Sequence, residues 1–344
     1  MATELRYLTG LRGYAASGVV AAHVIGTFNP SVPSWMHELA MLGPKGVVVF
    51  FVLSAFTISL SIDGRAFSAR DYAVRRFFRI APAYYLMLAL TFLLGGSYWA
   101  QHFSTPFDWK SLLFHLTFLN WIDYRHTNNA LGVEWTLSIE VFFYMLLPGM
   151  LALSRNALGI TLLTAGGLLA LVIPHSETPS EAWWWSPAPF AVCFVGGVLA
   201  YRAWPFCSEW RLFTSGILLV PVVVILLVWR PVMLFELETL AWMLGTVVAI
   251  LSGRSAAIRW IFDNRLAHAV GARSYALYLV HLPILGAVLK AAAFLEFSNG
   301  DVAAALTMAF SVAAVLLMYR YVELPAQAYG RRLIRERRAV AAAE

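Results

Sequence analysis

The chain is a succession of apolar runs about twenty residues long, and that repeat fixes the solvent in which it can fold. A helix needs about 20 apolar residues to cross the hydrocarbon of a bilayer, and only helices or closed barrels satisfy their backbone polar groups there. Ten runs fit this template, at approximately 9–28, 44–62, 80–99, 137–154, 157–174, 187–203, 213–229, 234–252, 274–295 and 302–321. The run 111–122 is apolar but too short to span, and reads as an interfacial or re-entrant piece. With 60% hydrophobic and 13% charged residues among 344 and a mean hydropathy of +0.70, the composition lies outside that of soluble domains. The expected fold is an all-α polytopic membrane bundle of about ten transmembrane helices.

A formal charge of +6 would point to nucleic acid in a soluble protein, but in a membrane chain arginines set topology. No nucleic-acid partner is expected. With a cytoplasmic N-terminus, nineteen of the 25 Lys and Arg residues fall inside, including Arg65, Arg70, Arg75, Arg76 and Arg79. The outside receives Lys45, Lys110, Arg125 and Arg230. This asymmetry predicts that both termini are cytoplasmic. Residues 1–330 are expected to form one membrane domain, followed by a basic tail, 331–344, of the amphipathic kind that rests on anionic lipid. The first apolar run begins with Arg12 and leads into further spans, so it is expected to remain as helix one and not to be a cleaved signal. Cys193 and Cys207 lack partner spacing, and neither a disulfide nor a metal site is expected.

The longest non-spanning region, roughly 100–136, falls outside and holds His102, His115, Asp123, His126 and Glu134 among many aromatics. It is expected to fold over the outer mouth of the bundle. Trp183, Trp184 and Trp185, before Pro187 and Pro189, read as an interfacial aromatic belt or as a stacking surface for an acceptor.

Ionisable residues inside membrane helices mark function more often than not. Arg12 and His23 are eleven positions apart, about 20° out of register and about 16 Å apart along a helix. One end of that face can hold an anion at the cytoplasmic surface while the other does chemistry inside. Arg76 and Arg79, in RFFR, are three apart and adjacent on a helix surface, where both guanidinium forks can grip phosphate oxygens. A P-loop, HExxH, CxxC or GxSxG motif is absent from the sequence, which argues against ATP-driven transport and metal hydrolysis.

Six segments in order, LTGLRGYAASGVVAAH, VVVFFVLSAFTIS, RRFFRIAPAYYLML, VEWTLSIEVFFYMLLP, SYALYLVH and YRYVELPA, resemble the membrane-bound acyltransferase family 3. The resemblance runs from about residue 5 to 330 and departs at Ala55, where the family usually carries glycine, so that a close helix contact is in question there. It implies an integral-membrane O-acyltransferase that moves an acetyl or other short acyl group from cytoplasmic acyl-CoA, as co-substrate, to a sugar hydroxyl. The implied acceptor is a surface or exported glycan such as exopolysaccharide or lipopolysaccharide, with a macrolide sugar as the alternative. Together with the topology, the resemblance implies the cytoplasmic (inner) membrane.

On this resemblance His23 is the catalytic base toward the acceptor hydroxyl, or takes the acyl group covalently first. A lone intramembrane histidine also serves as an interhelical hydrogen-bond partner. Arg12, Arg76 and Arg79 are implied donor contacts. Glu140 either orients His23 or bonds the acceptor. Trp135 and Glu134 lie at the outer boundary as acceptor contacts, though Glu134 also reads as a solvated helix-start carboxylate. His281 lies near the donor path, as a thioester contact or in structural pairing with Tyr278 or Ser274. Glu323 reads as an ion-pair anchor to Arg79 or Arg320. A reading of another class makes the chain a glycan flippase or proton-coupled transporter, with His23, Glu140 and His281 as the relay, but the paired broken helices of such transporters are not visible.

Overall fold

The computed structural model describes residues 5–64, 67–93, 107–172, 181–218, 220 and 235–343. Most of the expected span 213–229, the far ends of 80–99 and 157–174, and Arg65, His102 and Arg230 lie outside the described residues. Among the described residues all regular structure is helical. In chain order the helices are α1 Arg6–Phe28, α2 Ser34–Ala40, α3 Gly46–Ile62, α4 Ala69–Leu93, α5 Trp109–Thr117, α6 Trp135–Leu153, α7 Ala157–Val172 and α8 Glu181–Trp184. They continue as α9 Ala191–Cys207, α10 Arg211–Thr214, α11 Phe235–Leu251, α12 Ala256–Phe262, α13 Arg265–Ala272, α14 Ser274–Phe294, α15 Gly300–Met318 and α16 Leu324–Ala343.

Five helical stretches among the described residues are long and apolar enough to cross a membrane: Ser34–Ile62, Trp135–Leu153, Ala188–Cys207, Ser274–Phe294 and Gly300–Ala341. The pair α11 and α12 passes the same test together but bends by 107° at its break. The helices α1 and α4, of 23 and 25 residues, are long enough as well. What lowers their hydropathy is Arg12 and His23 in one and Arg75, Arg76 and Arg79 in the other. Large apolar side chains such as Leu158, Leu162, Phe310 and Leu317 stand exposed on α7 and α15, as lipid-facing helices require.

The centre of the bundle is α3, whose residues from Val47 to Ser59 are nearly all buried. It runs beside α9 in the same direction, with Phe51 against Phe190 and Phe194 and Asp63 on Arg202 at the far end, Nη1 to Oδ2 2.7 Å. Ala55 faces Gly197 across this contact, and a Cβ on Gly197 would collide with the Val52 carbonyl and the Ala55 methyl. The close approach in question at Ala55 is therefore kept, because the missing side chain belongs to the partner helix. Burial alone would raise the Asp63 carboxyl, but bonds from Tyr201 and Arg202 overcome it and hold the group below the usual carboxylate range.

Helix α4 starts at residue 69, well before the apolar run expected from 80. Its first turn carries Asp71 near the positive end of the helix dipole and is capped by Ser68 Oγ, which accepts from the Asp71 N–H at 3.2 Å. The C-terminal chain passes from α15 through a π-helical turn, Tyr319–Glu323, into α16 without interruption. There it packs back along α4, with Tyr329 against Phe78, ring centroids 5.4 Å apart. Glu323 is buried and attracted by Arg79, one of its expected partners, but no arginine among the described residues comes within contact distance and neither carboxylate oxygen has a hydrogen-bond partner.

The segment 107–134 folds as α5 and two 3-10 turns around a buried polar network. His115 Nε2 donates to Asn129 Oδ1 at 2.9 Å, so its Nδ1 accepts from Tyr84 Oη at 2.9 Å. Asn129 Nδ2 in turn donates to Ser111 Oγ. Burial pushes both His115 and His126 below the ordinary imidazole range, against the pull of Glu134 and Asp123 respectively.

Candidate active site

Five helices converge on one cavity lined by Arg12 of α1, Ser54 of α3, Arg76 and Arg79 of α4, Glu140 of α6 and Tyr275 of α14. The convergence follows from local geometry. Arg76 and Arg79 share a face because they are three apart on a helix, and Gly13, one residue past Arg12, lets α1 approach the backbone of Gly271 in α13. Two tyrosines fasten the walls: Tyr72 donates to the Tyr144 carbonyl and Tyr275 to the Ile80 carbonyl, both at 2.8 Å.

The cavity holds three guanidinium groups and one carboxylate, an excess of positive charge suited to an anion. Arg12 interacts with Arg79 and Arg76 as like charges and with Glu140 as the opposite one. Arg76 lies over the rings of Tyr72 and Tyr144, 5.8 and 5.6 Å from their centroids, and its Nε is buried with no hydrogen-bond partner. Buried donors are normally satisfied, so this one marks a position where a ligand acceptor fits. Glu140 receives a hydrogen bond from Ser54 Oγ. It faces the arginines, and the partner that orients His23 is a different residue.

That partner is His281. His23 Nδ1 and His281 Nε2 are 3.0 Å apart, and His281 Nδ1 lies 2.7 Å from the Tyr278 carbonyl. A carbonyl only accepts, so His281 Nδ1 carries a proton and its Nε2, in the neutral ring, offers a lone pair. His23 Nδ1 then donates to it, which puts the lone pair of His23 on Nε2. The expected pairing of His281 with Tyr278 is thus present through the Tyr278 backbone, and the pairing with Ser274 is not. His281 is fully buried and His23 partly exposed.

The histidine pair does not line the arginine cavity. Tyr278 stands between them: its ring lines the cavity and lies 5.8 Å from Phe50 and 5.8 Å from His281, centroid to centroid. Its hydroxyl accepts from Thr136 Oγ1 at 3.0 Å. Ser54, Thr136 and Tyr144 are the site residues that sequence reasoning missed, and Tyr278, expected only as a partner of His281, also forms the wall between the two sites. Their signal was present only as hydroxyls at helical spacing within the runs that carry Glu140 and His281.

Trp135 packs edge-on against Trp185 at 5.4 Å and against Phe190 at 5.5 Å, so the tryptophan run reaches the start of α6. Glu134 is not the solvated carboxylate that its boundary position suggests. It is 1% exposed, and its two oxygens accept from the Ala130 and Val133 N–H groups at 2.7 and 2.9 Å. A carboxylate so engaged closes its own loop, and the turn preceding α6 explains the burial.

A family model described as an acyltransferase domain matches residues 5–320. The chain is 24% identical over 366 residues to the peptidoglycan O-acetyltransferase OatA of Listeria monocytogenes, covering 94% of this chain and 56% of that protein. It is 26% identical over 320 residues to the putative peptidoglycan O-acetyltransferase YrhL of Bacillus subtilis, covering 81% and 48%. Nodulation protein 10 of Rhizobium leguminosarum is 28% identical over 163 residues, covering 42% and 44%. The chain spans about half the length of these relatives. No solved structure matches it.

Proposed function

Since the chain belongs to the acyltransferase family whose model spans residues 5–320, and is an acyltransferase with membrane-crossing helices, we propose that it is an O-acetyltransferase drawing on cytoplasmic acyl-CoA. The acceptor is the hydroxyl of a surface glycan, a reading supported by two relatives named for peptidoglycan. The single observation that carries this reading is the arrangement along α1. An anion-binding cavity of three arginines occupies one end, and a histidine held in a defined tautomer by His281 lies about 16 Å further on.

In this reading Arg12, Arg76 and Arg79 neutralise the phosphates of the donor, and its thioester arm passes toward Tyr278 and His23. His23 Nε2 takes the proton of the acceptor hydroxyl as the oxygen attacks the thioester carbon, and the thiolate leaves and is protonated. His281 holds the ring so that the accepting nitrogen is Nε2. Glu140, bonded by Ser54, limits the positive charge of the cavity and positions the arginines. Trp135 stands at the acceptor end. The topology counts α1, α4 and the shorter apolar helices as spans, about ten in all, with both termini on the arginine-rich cytoplasmic side of the inner membrane.

The test is the melting temperature of the purified protein in mild detergent against acetyl-CoA, propionyl-CoA and free CoA. A ligand that binds only the folded state raises stability by mass action. Saturable stabilisation that disappears in the Arg76→Ala/Arg79→Ala variant supports the reading. No shift at millimolar ligand contradicts it.

A further inference from the structure

A second polar pocket lies beside the first and has no task in the mechanism above. It has a volume of about 440 Å³ and is bounded by Ser61 at the end of α3, Ser68 and Arg75 at the start of α4, and Arg337 and Arg338 of α16, around Asp71. Asp71 is 1% exposed and accepts from both tail arginines, Arg338 Nε at 2.8 Å and Arg337 Nη2. One carboxylate thus pins two arginines in place, and with Arg75 the pocket is bounded by three guanidinium groups and one carboxylate. The amino end of the 25-residue α4 points its dipole into the same space. The volume falls within the range of small-ligand sites.

The two pockets are in line. Thr57 of α3 lines the inner cavity and Ser61, one turn on, lines the outer pocket, a step of about 6 Å. On α4, Arg75 belongs to the outer pocket and Arg76 to the inner one. Phe67 borders both the outer pocket and an apolar groove that meets the inner cavity at Arg76 and Tyr144. A ligand extending from the inner arginines toward the end of α3 therefore reaches a second cluster of arginines. Arg337 and Arg338 are engaged with Asp71 on the bundle, which is not the geometry of a basic helix spread on lipid.

We propose that this outer pocket binds the phosphate monoester at the nucleotide end of the acyl donor, with Arg75, Arg337 and Arg338 as its ligands. The inference rests on the acyl-CoA reading above and adds the C-terminal helix to the donor site. The inner arginines then face the pyrophosphate, and the pantetheine arm runs toward Tyr278. A phosphate monoester carries close to two negative charges at neutral pH, which suits a pocket bounded by three guanidinium groups.

The experiment is isothermal titration of the full chain in detergent with CoA and with 3′-dephospho-CoA. The expected result is that the wild type binds CoA about tenfold more tightly, or 1.4 kcal/mol, and that Arg75→Gln, which leaves the Asp71 contacts in place, reduces this ratio to below about threefold. A second variant, Asp71→Asn with Arg337→Gln and Arg338→Gln, removes the tail arginines without leaving a buried charge unpaired, and is expected to do the same. Adenosine 3′,5′-bisphosphate should compete with CoA, while short-chain phosphatidylglycerol should not. If the lipid competes and the nucleotide does not, the pocket is a lipid-headgroup site and the proposal is overturned. CoA and dephospho-CoA binding equally well to the wild type overturns the pocket assignment and leaves the acyl-CoA reading standing. Absence of binding by either ligand overturns both.

Discussion

His23 and His281, 258 positions apart in sequence, meet through a single ring-to-ring contact, Nδ1 to Nε2 at 3.0 Å. Because the Tyr278 carbonyl fixes the proton of His281 on Nδ1, the pair passes an ordering constraint from the backbone of α14 to the ring of His23 on α1. In the proposed mechanism a second histidine takes the orienting place that a carboxylate has in a triad.

On the proposed mechanism this relationship gives His281 a positioning role. His281→Leu removes the side-chain acceptor for His23 Nδ1 and leaves the Val19 carbonyl beside the ring; it is expected to lower kcat by about 10²–10⁴, the scale of a lost general base, with donor affinity unchanged. His281→Gln keeps an amide oxygen that can accept from Nδ1 and should retain more activity. Steady-state kinetics of both variants, with donor affinity from titration, check this. A Gln variant no better than Leu, or a parallel loss of donor binding, contradicts the role.

Ser54 and Glu140 share one hydrogen bond inside the arginine cavity. Ser54→Ala and Glu140→Gln are therefore expected to be non-additive in donor affinity, with a coupling on the order of 1 kcal/mol, the worth of a bond to a charged group in a partly screened site. A double-mutant cycle read by titration with acetyl-CoA measures it. Strict additivity would mean that the bond does not set the cavity's electrostatics.

The α3–α9 contact depends on the absence of a side chain at residue 197. Gly197→Ala drives a methyl into the Val52 carbonyl and the Ala55 methyl and should cost about 1–3 kcal/mol, the usual cost of overpacking. Ala55→Gly restores the family's residue and should cost less than about 1 kcal/mol, its helix-propensity difference. Thermal unfolding in detergent ranks the two, and a larger loss for Ala55→Gly would contradict the packing argument.

The network around His115 carries a pH dependence of defined sign. Its folded pKa is lowered by burial, against the pull of Glu134 4.0 Å away, while the unfolded chain titrates near about 6.5. The unfolded state therefore binds the extra proton, so this contribution is complete above about pH 6.5 and is lost as pH falls below it. His126, lowered in the same direction by burial with Asp123 opposing, adds to it. The carboxylates Asp63 and Asp123, whose pKa values are lowered, lose their contribution only below their unfolded value near about 3.9. The melting temperature should fall between pH 7 and pH 5, and His115→Gln should flatten that fall. An unchanged slope in the variant contradicts the assignment.

Much of this site was legible in the sequence, for reasons of short-range geometry. The face shared by Arg12 and His23, the adjacency of Arg76 and Arg79 and the polar interruption at Glu140 follow from helical period alone. What could not be read is which helix faces which. The His23–His281 pair needs α1 against α14, and the Glu140–Ser54 bond needs α6 against α3, contacts that no local pattern encodes. Glu134 was misjudged because its environment is set by the 107–134 loop folding back on it. The start of α4 at residue 69, ahead of the helical pair Arg76 and Arg79 that the sequence showed, was missed because its first turns are charged, and they are held through Asp71 and its contacts with Arg337 and Arg338.

The most direct test of the division of labour along α1 compares His23→Gln with Arg76→Ala/Arg79→Ala in two assays, donor binding by titration and acetyl transfer to glycan in membrane vesicles. The account predicts that His23→Gln abolishes transfer with a donor Kd within about twofold of wild type, and that the arginine variant weakens donor binding by about tenfold or more. Equal loss of donor binding in both variants, or transfer surviving in His23→Gln, would contradict it.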